Sequence, residues 1–276
     1  MHRPLLLFLI VAVLAVSCKK DEVDYELRNS YFRNISTSQR ADSTLTVMSY
    51  NIQCGFRPAF SPWDKGHIGG TAAYLDSMAA FIVASGADVI ALQEVPLDRT
   101  NIVIKRLLDS LAHRLGMNYA FASHGYNDAY ESGYPVRGQW GVAIMSRYPI
   151  EEIDSREVSY VDIWTRRSTL RARLRLDDSH RVDVYSLHHS PMTDYSDMRK
   201  TADFVHESSY PAIVCGDFNS GPETPAAYLG LAASLPDSLM SVDMIFHSKE
   251  FSARDAHFDP FAGLSDHYPV WVELRY

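Results

Sequence analysis

Four apolar residues, Ala212-Ile213-Val214-Cys215, run straight into Gly216-Asp217-Phe218-Asn219-Ser220, and this stretch constrains the chain more than any other. The apolar run suits a buried strand, and Gly216 lets the backbone break away just where Asp217 and Asn219 appear. Residues two apart share a face while the chain stays extended, so a carboxylate and a carboxamide are expected together at a strand end. An Asx turn is the other reading, because Asp and Asn after a strand are ordinary turn residues. What the rest of the chain brings to the same place decides between the two.

The N-terminus is a processing signal. Arg3 precedes an unbroken apolar run of twelve, Leu5 to Val16, too short to span a membrane and right for a signal-peptide core. Ala15-Val16-Ser17-Cys18 resembles the lipobox of bacterial lipoproteins, with Ala15 where a leucine is more usual. Residues 1–17 are thus expected to be removed and Cys18 to be acylated, anchoring the chain in a membrane. Lys19-Lys20-Asp21-Glu22 resembles the export signal of Bacteroidetes lipoproteins, which places the protein in the outer membrane of a Gram-negative bacterium, on the cell surface or facing the periplasm. An ordinary secretory signal with an incidental cysteine is the competing reading. Residues 18–44 then read as the acylated cysteine and a polar tether, whose Tyr25, Tyr31 and Phe32 have the means to pack onto a domain.

From Leu45 to Tyr276 strands and helices alternate. Leu45 to Ile52 reads as a β-branched strand that delivers Asn51 near its end. Residues 55–70, with four glycines and two prolines, are loop chemistry, and Phe56, Phe60 and Trp63 either pin that loop or line a groove. Thr71 to Ser85 and Asn101 to Leu115 have helical spacing, the second ended by Gly116. Between them Ala87 to Leu92 is a buried strand that leads into Gln93-Glu94. After the strand Tyr119 to Ser123 a loop is expected over 124–138, then a core strand from Gly141 to Met145.

Arg171, Arg173 and Arg175 alternate with apolar residues and predict a solvated cationic face, with phosphate contact the lesser reading. Val182 to Leu187 runs into His188-His189, adjacent histidines that face opposite ways in a strand, so at most one joins a given site. Asp197 to Ser209 is a helix. Ser241 to Phe246 puts Asp243 inside an otherwise apolar strand, where an unpaired carboxylate would cost several kcal/mol, roughly, so it needs a partner. His267, in Ser265-Asp266-His267, is the natural one. Cys54 and Cys215 lie in or beside apolar strands and read as buried free thiols; three cysteines in all make no disulfide scaffold.

Asn51, Glu94, His188, Asp217, Asn219, Asp243, Asp266 and His267 each fall at or near a strand end. Acids and amides of this kind suit a hard divalent cation, Mg²⁺ or Mn²⁺, and histidine–carboxylate pairs suit proton transfer. In the same order, Ser49-Tyr50-Asn51-Ile52, Leu92-Gln93-Glu94-Val95, Ser186-Leu187-His188, Gly216-Asp217-Phe218-Asn219, Asp243-Met244-Ile245-Phe246 and Ser265-Asp266-His267 resemble the six successive motifs of the endonuclease/exonuclease/phosphatase superfamily. The resemblance covers residues 45–276. It implies an α/β fold, a four-layered α/β sandwich of two mostly antiparallel sheets flanked by helices, and a divalent-metal-dependent phosphoesterase.

The same resemblance implies Glu94 as metal ligand with Asn51 and Asp266 beside it, and Asp217 and Asn219 orienting or activating water. It implies His267, held by Asp243, as base or phosphoryl stabiliser, and His188 on a phosphate oxygen or the leaving group. The chain departs from the family at Leu187-His188-His189, so that the choice of His188 rests on alignment, and at Gln139-Trp140, where several nucleases have a tyrosine. The segment from Asn219 to Asp243 is also short.

Fold and motif license a reaction and leave the substrate open. A formal net charge of -8 does not mark a nucleic-acid binder, although a nuclease needs only a local positive surface. A tethered acidic domain with aromatic loops at 55–70 and 124–140 fits a lipid or small phosphoester better than a long polyanion. An extracellular nuclease is the alternative, since tyrosines also stack on single strands. A surface binding protein without turnover is the reading from another class. The chain is taken as a monomer.

Overall fold

In the computed structural model, residues 30–36, 43–60, 62, 66–128, 137–159, 166–191, 195–260 and 262–276 are described. The signal peptide, Cys18, Tyr25, Trp63 and the middle of the 124–138 stretch lie outside them. Thirteen strands and four helices follow in chain order: β1 Ser30–Arg33, β2 Thr44–Asn51, α1 Ala72–Ser85, β3 Val89–Leu97, α2 Leu107–Leu115, β4 Asn118–Asp128 and β5 Arg137–Ser146. Then come β6 Ile150–Ser159, β7 Arg167–Arg175, β8 Arg181–His188, α3 Ser196–His206, β9 Ala212–Asp217, α4 Glu223–Leu229, β10 Ala232–Ala233, β11 Asp243–His247, β12 Ser252–Phe258 and β13 Val270–Arg275.

Two sheets result, ordered β1-β4-β5-β3-β2-β13-β12 and β10-β11-β9-β8-β7-β6. Each is antiparallel except at one central pair, β2 with β3 and β8 with β9. A parallel pair needs a crossover. Here α1 and α3 supply the two crossovers, so each sheet delivers two neighbouring strand ends to the same rim. The inner faces meet in an apolar core of Val47, Val89, Ile144, Leu170, Val184, Ile213 and Ile245 among others. The outer face of the first sheet packs under α1 and α2, and that of the second under α3 and α4. The architecture is the four-layered α/β sandwich expected.

Four local expectations are corrected. The tether, expected to reach residue 44, already contributes β1, because Tyr31 packs against Tyr119 and Phe121 and its strand pairs with β4. The helix expected from Asn101 starts at Leu107, since the 101–106 backbone is spent bonding Gly69 and Gly70. Much of the 124–138 loop is strand, as β4 runs on to Asp128 and β5 starts at Arg137. Gly216 does not end its strand. β9 continues through Asp217, and the glycine serves close approach instead: a Cβ there would meet the Leu187 carbonyl oxygen of β8 at 2.2 Å.

Cys54 and Cys215 are buried free thiols in separate clusters. Phe56 is buried beside Cys54 and pins its loop, whereas Phe60 is exposed. Among the described residues no helix is long and apolar enough to cross a membrane.

Candidate active site

The second sheet sets three residues in one row. Register pairs His188 with Asp217 and Asp217 with Asp243, on the neighbouring strands β8, β9 and β11. The first sheet contributes Asn51 at the end of β2 and Glu94 from within β3. Glu94 reaches the site because β3 bulges between Leu92 and Val95, with Glu94 at φ 52°. A non-glycine residue held at positive φ is strained, and such residues gather at functional sites. Gln53, Cys54 and Asn219 share the feature here. The two sheets are tied just beneath by Gln93 Nε2 to Ser186 Oγ at 3.3 Å and Ser186 Oγ to the Leu92 carbonyl at 3.1 Å.

Asp217 Oδ2 is the hub. Asn51 Nδ2 donates to it at 3.2 Å, His188 Nε2 lies at 3.5 Å and His267 Nε2 at 3.7 Å. Its other oxygen accepts from the Asn219 backbone N–H at 3.0 Å. Burial, and then the neighbouring Asp243, push this carboxyl up to about 7, against the pull of His267. Asp243 has the partner its burial demands, with His267 Nδ1 at 2.7 Å from Oδ2. Burial works against a charge on His267, but the hydrogen bond to Asp243 and the fields of Asp243, Asp217 and Asp266 raise it to about 9. Near neutral pH the site therefore holds an imidazolium facing a carboxyl of near-neutral affinity for protons.

The structure separates the two histidines. His188 faces Asp217, while His189 faces α3, with Nε2 2.9 Å from Thr201 Oγ1. Asn219 is the correction among the candidates. It does not share a face with Asp217, because its positive φ turns it aside and its amide donates to the His189 carbonyl at 2.8 Å. It forms the Asx turn and ties the ends of β8 and β9 together.

Oxygen donors line one side of the hub. Asn51 Nδ2 reaches Glu94 Oε1 only at 3.5 Å, and Asp243 Oδ1 is buried with no partner. Burial raises the Glu94 carboxyl, His267 lowers it and Asp266 raises it again. A half-buried carboxylate so weakly satisfied, with a second acid and an amide beside it, fits a hard divalent cation. Asp217, Asp243 and His267 also come within 4.8 Å of one another. In that group His267 Nδ1 is engaged by Asp243.

Three neighbours adjoin the site, and of them Arg167 escaped the sequence analysis. Arg167, at the start of β7, lies with its guanidinium 4.8 Å from the Trp140 ring centre. Trp140 in turn packs edge-on to His188 at 5.8 Å and to His124 at 5.1 Å. The field of Arg167 reaches both histidines and Glu94. The other arginines of β7 are paired away from the site: Arg171 with Glu152, Arg173 with Asp183 and Glu152, Arg175 with Glu151. No local pattern in the sequence sets Arg167 apart from them.

His189 carries a prediction about acid. Burial lowers its pKa from 6.5 to about 4. Between those values the unfolded chain binds the extra proton and the folded one does not, so this group's contribution to stability is lost as pH falls. The shift corresponds to about 3 kcal/mol. Chemical denaturation at pH 7 and pH 4 should show His189→Gln losing correspondingly less stability on acidification than the wild type; equal losses would refute the assignment.

Residues 48–267 match the model of the Endonuclease/Exonuclease/phosphatase family. No curated protein matches the sequence. Among solved structures, an endonuclease/exonuclease/phosphatase from Beutenbergia cavernae is 18% identical with a TM-score of 0.62, covering 84% of this chain and 72% of that one. The human Nocturnin catalytic domain with bound sulfate is 17% identical at TM-score 0.63, covering 89% and 97%. A Bacteroides thetaiotaomicron mannosyl-6-phosphatase is 17% identical at 0.56, covering 84% and 100%. With a matching family model over most of its length and the same sandwich, the chain belongs to the endonuclease/exonuclease/phosphatase family.

Proposed function

We propose that the protein is a metal-dependent phosphoesterase that cleaves a lipid or small phosphoester by in-line attack of water. The observation that carries this reading is the convergence of Asn51, His188 and His267 on Asp217 Oδ2, with Glu94 alongside. Asp217 takes the proton from the attacking water, since its affinity for a proton lies near neutrality. His267, held through Nδ1 by Asp243, presents Nε2–H as a fixed positive charge to the phosphoryl oxygens. His188 donates from the other side. Asn219 acts through backbone placement, holding the turn that carries Asp217. Glu94, with Asn51 and Asp266, would hold Mg²⁺ or Mn²⁺. When bound, such an ion neutralises charge on the phosphate and leaving oxygens.

The mannosyl-6-phosphatase among the structural relatives keeps a monoester substrate in view. In the same reading Cys18 is acylated and the protein is an outer-membrane lipoprotein acting as a monomer. The test is hydrolysis of an aryl phosphodiester and the matching monoester by the chain starting at Lys19, with Mg²⁺, with Mn²⁺ and with chelator. Turnover abolished by chelator and restored by either ion is the expected outcome. The ratio of the two esters then selects phospholipids and nucleic acids or phosphorylated small molecules as the next panel. Folded protein that turns over neither ester with either metal would sink the proposal.

A further inference from the structure

We infer that the catalytic end of the domain docks on the lipid surface in which Cys18 is anchored, so that the site works at the membrane interface. This rests on the lipobox and phosphoesterase readings above, and adds an orientation that neither contains.

The first observation is where the chain enters the fold. Ser30 pairs with Ala122, and Ala122 with Val142. Val142 lies between Gly141 and Ala143, which pair with Val95 and Leu92 on either side of the Glu94 bulge. Ser30 is therefore level with Glu94. β1 runs antiparallel to β4, and β4 runs in the direction of β3, so β1 begins at the end where β2 and β3 deliver Asn51 and Glu94.

The second is reach. Twelve residue steps separate Cys18 from Ser30 and span at most about 40 Å when extended. A random coil of that length averages about 20 Å. Strands such as β4 and β5, eleven and ten residues long, add about 30 Å to the far side of the domain. At the average separation the catalytic end therefore lies nearer the anchor than the opposite end does.

The third is the surface presented. Of the eight large apolar or aromatic side chains that are exposed among the described residues, five belong to this end: Phe60, Ile68, Val103, Tyr195 and Tyr268. Ile68 and Val103 are the most exposed of these, at 66% and 56%. They flank the buried Gly69–Ile102 bridge and, by the period of two, face outward where those two face in. Phe60 lies over the rim, its carbonyl accepting from Gln53 Nε2, while the Gln53 N–H bonds Asn51 Oδ1. Tyr195 precedes α3 on the loop leaving His188, and Tyr268 follows His267. Single exposed apolar residues are ordinary on a surface, but five gathered at one end suit seating at a lipid interface.

The experiment uses the full acylated chain in vesicles of phosphatidylethanolamine and phosphatidylglycerol, with a fraction of the lipid brominated. An environment-sensitive fluorophore is placed in turn on Ile68→Cys, Val103→Cys and Ser179→Cys. Ser179 is exposed on the turn before β8, at the end opposite His188, and Cys54 and Cys215 are too buried to label. Quenching at 68 and 103 is expected to exceed that at 179 by about threefold or more. Equal quenching at all three positions, or stronger quenching at 179, overturns the orientation. A Cys18 that carries no acyl mass overturns the anchor on which it depends. Hydrolysis of a soluble aryl phosphodiester by the same vesicles reports the phosphoesterase reading independently, so the failure of one is not confused with the failure of the other.

Discussion

Replacing His267 with alanine is expected to lower kcat by about a thousandfold, within the range for a group that acts on the reacting atoms. Among the described residues the imidazole is the cationic donor held against Asp217, and the buried Asp243 fixes it through the 2.7 Å bond to Nδ1. Asp243→Asn keeps an oxygen in place to accept from Nδ1 while removing the charge. It should therefore cost less than the alanine variant and move something the alanine variant cannot. In the wild type the alkaline limb of the kcat profile should fall near 9, where His267 gives up its proton. Loss of the Asp243 anion removes what raises that value, so the limb should shift to lower pH. Steady-state kinetics over pH 6 to 10, roughly, with folding checked by circular dichroism, read both effects. A His267→Ala enzyme within about tenfold of wild type would remove this residue from the chemistry.

The chemistry of the site was largely legible, and the geometry that assembles it was less so. Asp243 announced its need for a partner, because a carboxylate opening an apolar strand is costly unless paired, and the hydrogen bond to His267 meets that need. The alternation along β7 predicted a solvated cationic face, but Arg171 and Arg173 are largely covered and paired with Glu152 and the buried Asp183, and Arg175 pairs with Glu151. Two other features turn on backbone conformations that carry no composition signal. Glu94 enters the site through a bulge and a positive φ, which nothing in Leu92-Gln93-Glu94-Val95 marks. Asn219 leaves it by the same kind of departure, so the rule that residues two apart share a face failed where the strand stopped. Arg167 was missed for a tertiary reason: the first residue of β7 meets Trp140 from another sheet, and no local pattern reports that. β1 was lost in a polar segment because one edge strand needs only Tyr31 to hold it.

Gly216→Ala should cost about 3 kcal/mol of stability. Strands β8 and β9 are parallel neighbours, with Leu187 opposite Gly216. A Cβ on residue 216 would stand 2.2 Å from the Leu187 carbonyl oxygen and 2.8 Å from its Cγ, and backbone cannot yield as a flexible side chain would. The strands must separate, and they must do so one residue before His188 and Asp217, which are themselves register partners. Activity should therefore fall further than stability alone accounts for, since a displacement on the order of 1 Å disrupts catalytic alignment. Gly86→Ala is the matched control. Gly86 closes α1 in the left-handed region at φ 70°, but nothing lies within 4 Å of a Cβ built there. It carries the conformational penalty without the collision and should cost about 1 kcal/mol, with unchanged kcat. Urea denaturation of the two variants, with kcat measured on each while folded, separates close approach from backbone preference. If Gly216→Ala proved no worse than Gly86→Ala in either measurement, the tight β8–β9 contact would not be what holds Asp217 in place.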